Sequence, residues 1–143
     1  MDFDNKINSF MALLGSIRHY SALSEANTKS GIIVPILHEL QWNVRSPFEV
    51  VREYSLDSGT VDYALKIFDE IRVLIEVKKM SENLDKYENQ IKKYAIDINV
   101  YLFILTDGIR WQFYTWLKEG IEIFKNAYCL SSENVMPEVF TQA

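Results

Sequence analysis

With 143 residues, 48% of them hydrophobic, the chain has apolar side chains enough for the core of one compact domain and too few residues for two full-sized ones. Its single cysteine, Cys129, excludes an intramolecular disulfide, and Asp2 and Asp4 stand where a signal peptide carries positive charge, so a cytoplasmic location is expected. Apolar runs such as 100–105 fall far short of the roughly 20 residues that span a bilayer. A net charge of −5 gives little general attraction for phosphates, so any nucleic acid must be held by a local basic surface, a metal ion, a second copy or another subunit.

No internal repeat, low-complexity tract or Pro/Gly/Ser linker interrupts the chain. Residues 3 to about 20 are predicted helical, because Phe3, Ile7, Phe10, Met11, Leu14 and Ile17 recur at three- and four-residue spacing. Ser24 is a suitable N-cap for a second helix to about Leu40, which Pro35 is expected to kink or loosen. Residues 47–55 read as a strand ending in a turn at Asp57-Ser58-Gly59. Over 60–68, Val61, Tyr63, Leu65 and Ile67 alternate with Asp62, Ala64 and Lys66; over 72–79, Val73, Ile75 and Val77 alternate with Leu74, Glu76 and Lys78. The short Asp69-Glu70 connection makes these two strands an antiparallel hairpin.

From Asn83 to about Ile98 one apolar stripe, Leu84, Tyr87, Ile91, Tyr94, Ala95 and Ile98, predicts a helix. The continuous apolar run 100–105 fits a strand buried on both faces, and after Asp107-Gly108 a strand over 109–116 pairs back, with room for one more strand beyond. The expected architecture is an α/β sandwich, a mixed β-sheet flanked by helices, in a single domain. Its N-terminal helix occupies 1–23, its core 24–116 and a C-terminal extension 117–143.

Within the hairpin, Asp62 lies on one strand and Glu76 and Lys78 lie on one face of the next. Two carboxylates and an ammonium converge in this arrangement. A hard divalent cation such as Mg²⁺ takes oxygen ligands in octahedral geometry, which two carboxylates, a backbone carbonyl at Val77 and waters supply. Metal ions and a lysine together activate a water and offset the charge that develops when a phosphodiester is hydrolysed. Spacing alone is a weak signal that fits a solvated strand face better, but clustered charges in a sheet with little solvated surface are costly unless paired or metal-bound. Gln90 and Tyr94, four residues apart, share a helix face at the border of the apolar stripe, within reach of the open end of the hairpin, although taken singly Tyr94 fits ordinary core at least as well and Gln90 fits a surface amide.

The combination of Val61-Asp62-Tyr63-Ala64-Leu65, Leu74-Ile75-Glu76-Val77-Lys78-Lys79, Gln90-Ile91-Lys92-Lys93-Tyr94 and the stretch from Leu105 to Tyr114 through Asp107-Gly108-Ile109-Arg110-Trp111 resembles the PD-(D/E)XK nucleases. Within that class it is most similar to the N-terminal nuclease domain of type I restriction motor subunits and their stand-alone relatives. The likeness covers residues 24 to 116 and implies a restriction-endonuclease-like fold and Mg²⁺-dependent cleavage of DNA, with Mn²⁺ able to substitute. By resemblance, Asp62 and Glu76 hold the metal, Lys78 activates water or stabilises the transition state, and Gln90 and Tyr94 support the site and contact DNA. Val61 replaces the proline of the class motif, a position that varies.

The family often adds a glutamate from the early helix, and Glu25 occupies the corresponding place, in phase with Ile32 and Ile36. An acidic residue in a first turn also stabilises the helix dipole, and both explanations stand at this point. His19 and His38 lack carboxylate or cysteine partners at ligand spacing and fit surface or packing roles. Trp111, Phe113 and Tyr114 fit core or cross-strand pairs better than base stacking. Lys78, Lys79, Lys86, Lys92 and Lys93 form either a phosphate-facing patch or a solvated face. No Gly-x-x-x-x-Gly-Lys-Ser/Thr occurs, so a motor or specificity subunit would come from another chain, and a homodimer would let two sites address two strands. The alternative is a non-catalytic module that keeps the nuclease fold and acts in DNA binding or assembly through a partner protein.

Overall fold

The alternating stretches all become strands of one sheet. The structure, a computed structural model, describes residues 5, 8, 9, 12, 23–80, 82–98, 100, 102–116 and 123–129. Most of the helix expected over 3–20, and His19 with it, lies outside the described residues. Six strands, β1 (Val50–Leu56), β2 (Gly59–Ile67), β3 (Glu70–Val77), β4 (Leu102–Thr106), β5 (Arg110–Trp116) and β6 (Ile123–Cys129), lie side by side in chain order. All neighbours are antiparallel except β3 and β4, which run parallel from Val73↔Leu102 to Val77↔Thr106. A parallel pair needs a long crossover. It is supplied by a 3₁₀ turn (Leu84–Tyr87), capped by the Asn83 side chain, that leads into a helix over Glu88–Asp97.

The helix after Ser24 is a rod of three pieces: α1 (Glu25–Thr28), a π-helical turn (Lys29–Ile33) and α2 (Val34–Glu39); the crossover helix is α3. Ser24 caps it as expected, its hydroxyl accepting from the Asn27 N–H at 3.1 Å. Pro35 carries no N–H and its ring opposes the carbonyl four residues back. The chain accommodates it by widening the preceding turn, so that the Val34 N–H reaches the Lys29 carbonyl, five residues back.

Each face of the sheet carries its own core. Ile32, Ile33, Ile36 and Leu37 of the rod pack on Val50, Tyr63, Leu65, Ile75, Val77, Ile104 and Trp111. On the opposite face Leu84, Ile91 and Tyr94 cover Val61, Ala64, Leu74, Phe103, Leu105 and Tyr114. Each fully buried aliphatic side chain here contributes about 1.5–3 kcal/mol of transfer free energy. β4 is buried on both faces, as its unbroken apolar run requires. The turn at Gly108 lets the rod approach: a Cβ there would meet Ile32 Cδ1 at 2.9 Å, and its φ is +98°.

Four sequence expectations need correction. β1 begins at Val50, because residues 44–49 form turns stitched by Asn43 and Ser46. β3 runs Glu70–Val77, so Lys78 and Lys79 lie just beyond it, although the Lys78 N–H still donates to the Thr106 carbonyl at 2.8 Å. The β2–β3 turn is Phe68-Asp69, both at positive φ as a two-residue type I′ hairpin requires, without the usual Asn or Gly. Val61 sits in the core opposite to that of Tyr63 and Leu65, so the alternation breaks at Asp62. The further strand that the sequence left room for beyond 116 is β6, which extends the sheet into the stretch 117–143. No helix among the described residues is long and apolar enough to cross a membrane.

Candidate functional site

The break at Asp62 is where the β2–β3 hairpin opens. Paired register runs from Ile67↔Glu70 to Tyr63↔Ile75 and stops. One step further Asp62 and Glu76 face each other, 7% and 6% exposed, and their carboxyl groups hydrogen-bond to one another. The ladder bond expected there is replaced by a side chain: the Val77 N–H donates to Asp62 Oδ2 at 2.7 Å. The other oxygen, Oδ1, is ion-paired to the ammonium of Lys29, the first residue of the π turn, which also lies 3.3 Å from Glu53 Oε1.

Burial sets the electrostatics of this pair. It pushes Glu76 up, the hydrogen bond and the negative charge of Asp62 push it further, to about 9, and Glu25 adds to the rise while Lys78 opposes it. Burial would also raise Asp62, but hydrogen bonds from Glu76, Lys29 and the Val77 N–H hold it below its ordinary value. Two carboxylates this close in a low-dielectric setting do not both ionise without a cation. The environment therefore sets the two acids apart, with Glu76 held high and Asp62 held low. For Lys29, burial acts downward but is outweighed by Asp62 and then Glu53, so its ammonium stays charged above the ordinary range.

The remaining candidates border the couple. On α3, Gln90 Nε2 donates to the Tyr94 hydroxyl at 2.8 Å, and that hydroxyl donates to the Thr60 carbonyl at 3.3 Å. The buried Tyr94 ring stacks on Phe103 with centroids 5.9 Å apart, and Gly59 leaves room for its hydroxyl, since a Cβ there would lie 3.1 Å away. Burial and then the Glu76 charge raise the Tyr94 hydroxyl, and the Gln90 hydrogen bond opposes the rise. Lys78 is half-buried, with Nζ 4.3 Å above the Tyr87 ring centroid. The loop between is clamped by Arg110, which donates to Asp107 Oδ2 at 2.7 Å and to the carbonyls of Met80 and Glu82. Glu25, half-buried in the first turn of α1, acts on Glu76 through its charge.

Lys29 and Glu53 escaped the sequence reading, and Tyr87 was read only as part of the apolar stripe and not as a partner of Lys78. Lys29 lies one helical turn after Glu25, a spacing that marks the same face and was legible. Glu53 carries no such mark: it reaches Lys29 from a backbone at φ +52° inside β1. His38 is exposed. Trp111 and Tyr114 are buried, with the Trp111 ring N–H donating to the Gly108 carbonyl at 3.1 Å, and Phe113 packs on the first core. Lys79, Lys86, Lys92 and Lys93 are exposed, and Lys86 pairs with Glu82 at 3.2 Å. A groove of about 590 Å³ lined by Trp42, Phe48, Ile67 and Phe68 contains neither acid.

The donor set fits Mg²⁺. Two desolvated carboxylates that need a cation to ionise together are the ligands such an ion prefers. No cluster of three or more Asp, Glu, His or Cys side chains occurs among the described residues, so backbone oxygen and water would complete the shell.

No family model and no curated protein matches the chain. Among solved structures, a cryo-EM structure of a DrdV–DNA complex, DrdV being a restriction enzyme, matches 85% of this chain at TM-score 0.50 and 19% identity. This chain spans 12% of the length of that one. The match shows the fold, a restriction-endonuclease-like α/β arrangement.

Proposed function

We propose that this chain is a Mg²⁺-dependent DNA endonuclease domain of the PD-(D/E)XK class, akin to the nuclease module of type I restriction motor subunits. The observation that carries the reading is the buried Asp62–Glu76 couple at the open end of the hairpin, with Lys78 acting on Glu76 through its charge. Mg²⁺ bound there, with Mn²⁺ as a substitute, supplies Lewis acidity to the phosphate and lowers the pKa of a bound water. Asp62 and Glu76 would be its carboxylate ligands and the Val77 carbonyl a backbone one. Lys78 orients the attacking water and offsets charge developing on the phosphate. Gln90 and Tyr94 brace the couple and face the DNA backbone, and Glu25 adds an outer negative charge.

The net charge of −5 implies that DNA is held with help from a second copy or from a motor or specificity subunit on another chain. Incubating purified protein with plasmid DNA and Mg²⁺ or Mn²⁺ tests the reading. Cleavage that needs the metal and is lost in Asp62→Ala and Lys78→Ala is expected; cleavage that survives both substitutions contradicts it. A second reading, a non-catalytic nuclease-fold module acting through a partner, is favoured by the Lys29–Asp62 ion pair, which neutralises the site without metal. Calorimetric titration separates the two, since the module binds no Mn²⁺ at millimolar concentration.

A further inference from the structure

Two backbone irregularities aim at one point. The π turn begins at Lys29, and such single wide turns inside helices occur frequently at functional sites. On the facing strand Glu53 is held at φ +52°, a conformation that costs a non-glycine residue on the order of 1–3 kcal/mol and persists only where surrounding structure enforces it. Together they make Lys29 a bridge between a buried acid, Asp62, and an exposed one, Glu53, whose side chain is 66% exposed. With the Val77 N–H on Oδ2 and the ammonium on Oδ1, both oxygens of Asp62 are engaged.

Resting on the metal-dependent reading above, we infer that Lys29 is a resident counter-ion of the site: it competes with the divalent ion for Asp62 Oδ1 and moves onto Glu53 when the ion binds. An ammonium and a metal ion cannot share the same oxygen lone pairs at bonding distance. A lysine is a compact, strongly hydrated charge on a flexible stem, suited to pivoting between two acceptors. The pair it leaves is buried and the pair it joins is largely solvated, so the displaced ammonium regains water rather than losing it. The competition raises the metal concentration at which the site fills, and Lys29 keeps the metal-free acids from standing unpaired.

Calorimetric titration of the full chain with Mn²⁺, at fixed pH and ionic strength, tests this without reference to cleavage. Lys29→Met is expected to bind Mn²⁺ about tenfold more tightly than wild type, the scale of one lost competing contact. Its metal-free melting temperature should fall while its Mn²⁺-induced rise grows. Lys29→Arg, which keeps the charge, should stay within about twofold of wild type, and Glu53→Gln should bind about threefold more weakly because the displaced ammonium has lost its second acceptor. Unchanged or weaker binding by Lys29→Met beside a wild type that binds overturns the inference and leaves the metal site standing. Should Lys29→Met fail to fold, Glu53→Gln decides, and binding as tight as wild type overturns it. A wild type and variants that all ignore millimolar Mn²⁺ bring down the metal reading and the inference with it.

Discussion

The two ends of the β2–β3 hairpin use similar residues to opposite effect. At the turn end, Glu70 and Arg72 pair at 2.9 Å with both side chains more than half exposed, and the backbone ladder passes a register shift between Leu65 and Lys66 and continues to Ile67↔Glu70. At the open end, Asp62 and Glu76 are buried, the ladder stops at Tyr63↔Ile75, and a carboxylate oxygen replaces a carbonyl as the acceptor for the Val77 N–H. Water screens the first set of charges, so it costs and contributes little. The second set is desolvated, and its free energy depends on which cation or proton sits with it. Charge in a strand is therefore uninformative until burial is known.

Substitution at the two ends should separate them most sharply in activity. Asp62→Ala and Glu76→Ala are each expected to lower Mg²⁺-dependent plasmid nicking by more than about a hundredfold, since loss of even supporting residues at metal sites costs 10–100-fold. Arg72→Ala should leave nicking within about twofold of wild type in the same assay; an equal loss at both ends would erase the distinction.

Acidity provides the next largest effect. Glu76, at about 9 in the folded protein against an ordinary 4.5, binds its proton more tightly folded than unfolded. Its contribution to stability is thus fully present below the ordinary value and is lost as the pH rises toward 9. Asp62, held low, runs the other way: its contribution is present above its ordinary 3.8 and is lost as the pH falls below it. Thermal denaturation without metal should show a melting temperature lower by about 5 °C at pH 9 than at pH 5, and saturating Mg²⁺ should remove most of that drop by replacing the proton. A flat profile would mean the acids do not share a proton.

Smaller changes follow at the border and at the turn. Tyr94→Phe removes the hydroxyl that links Gln90 to the Thr60 carbonyl and should cost about 1 kcal/mol in urea denaturation. Arg72→Ala should change stability by less than about 0.5 kcal/mol in the same measurement. A larger cost at Arg72 than at Tyr94 would invert the ranking of solvated and desolvated ends.

Sequence periodicity revealed most of the fold because burial imposes it. The apolar run of β4, the alternation of β3 and the stripe that places Ile91 and Tyr94 on one helix face all follow from which sides of each element meet a core. The pairing of Asp62 with Glu76 was legible from the hairpin's alternation and from the resemblance, as was the stacking of Gln90 on Tyr94. What escaped was what breaks a period. Val61 changes sides because a carboxylate takes over a ladder bond, and a two-residue repeat carries no sign of that exchange. Pro35 announced a disturbance in its helix but not that the chain would answer with a wide turn starting at Lys29. Phe68-Asp69 holds a turn that normally asks for Asn or Gly, and Glu53 takes a left-handed conformation that its residue type does not favour.

On the proposed reading, Asp62 and Glu76 share one divalent ion. A crystal structure of the protein grown with Mn²⁺, with anomalous scattering used to locate the metal, tests it most directly. One strong peak between the two carboxylates, about 2.1–2.3 Å from an oxygen of each and with the Lys29 ammonium shifted toward Glu53, is the result predicted. Full Mn²⁺ occupancy elsewhere, with the Asp62–Glu76 hydrogen bond and the Lys29–Asp62 pair intact, would contradict it.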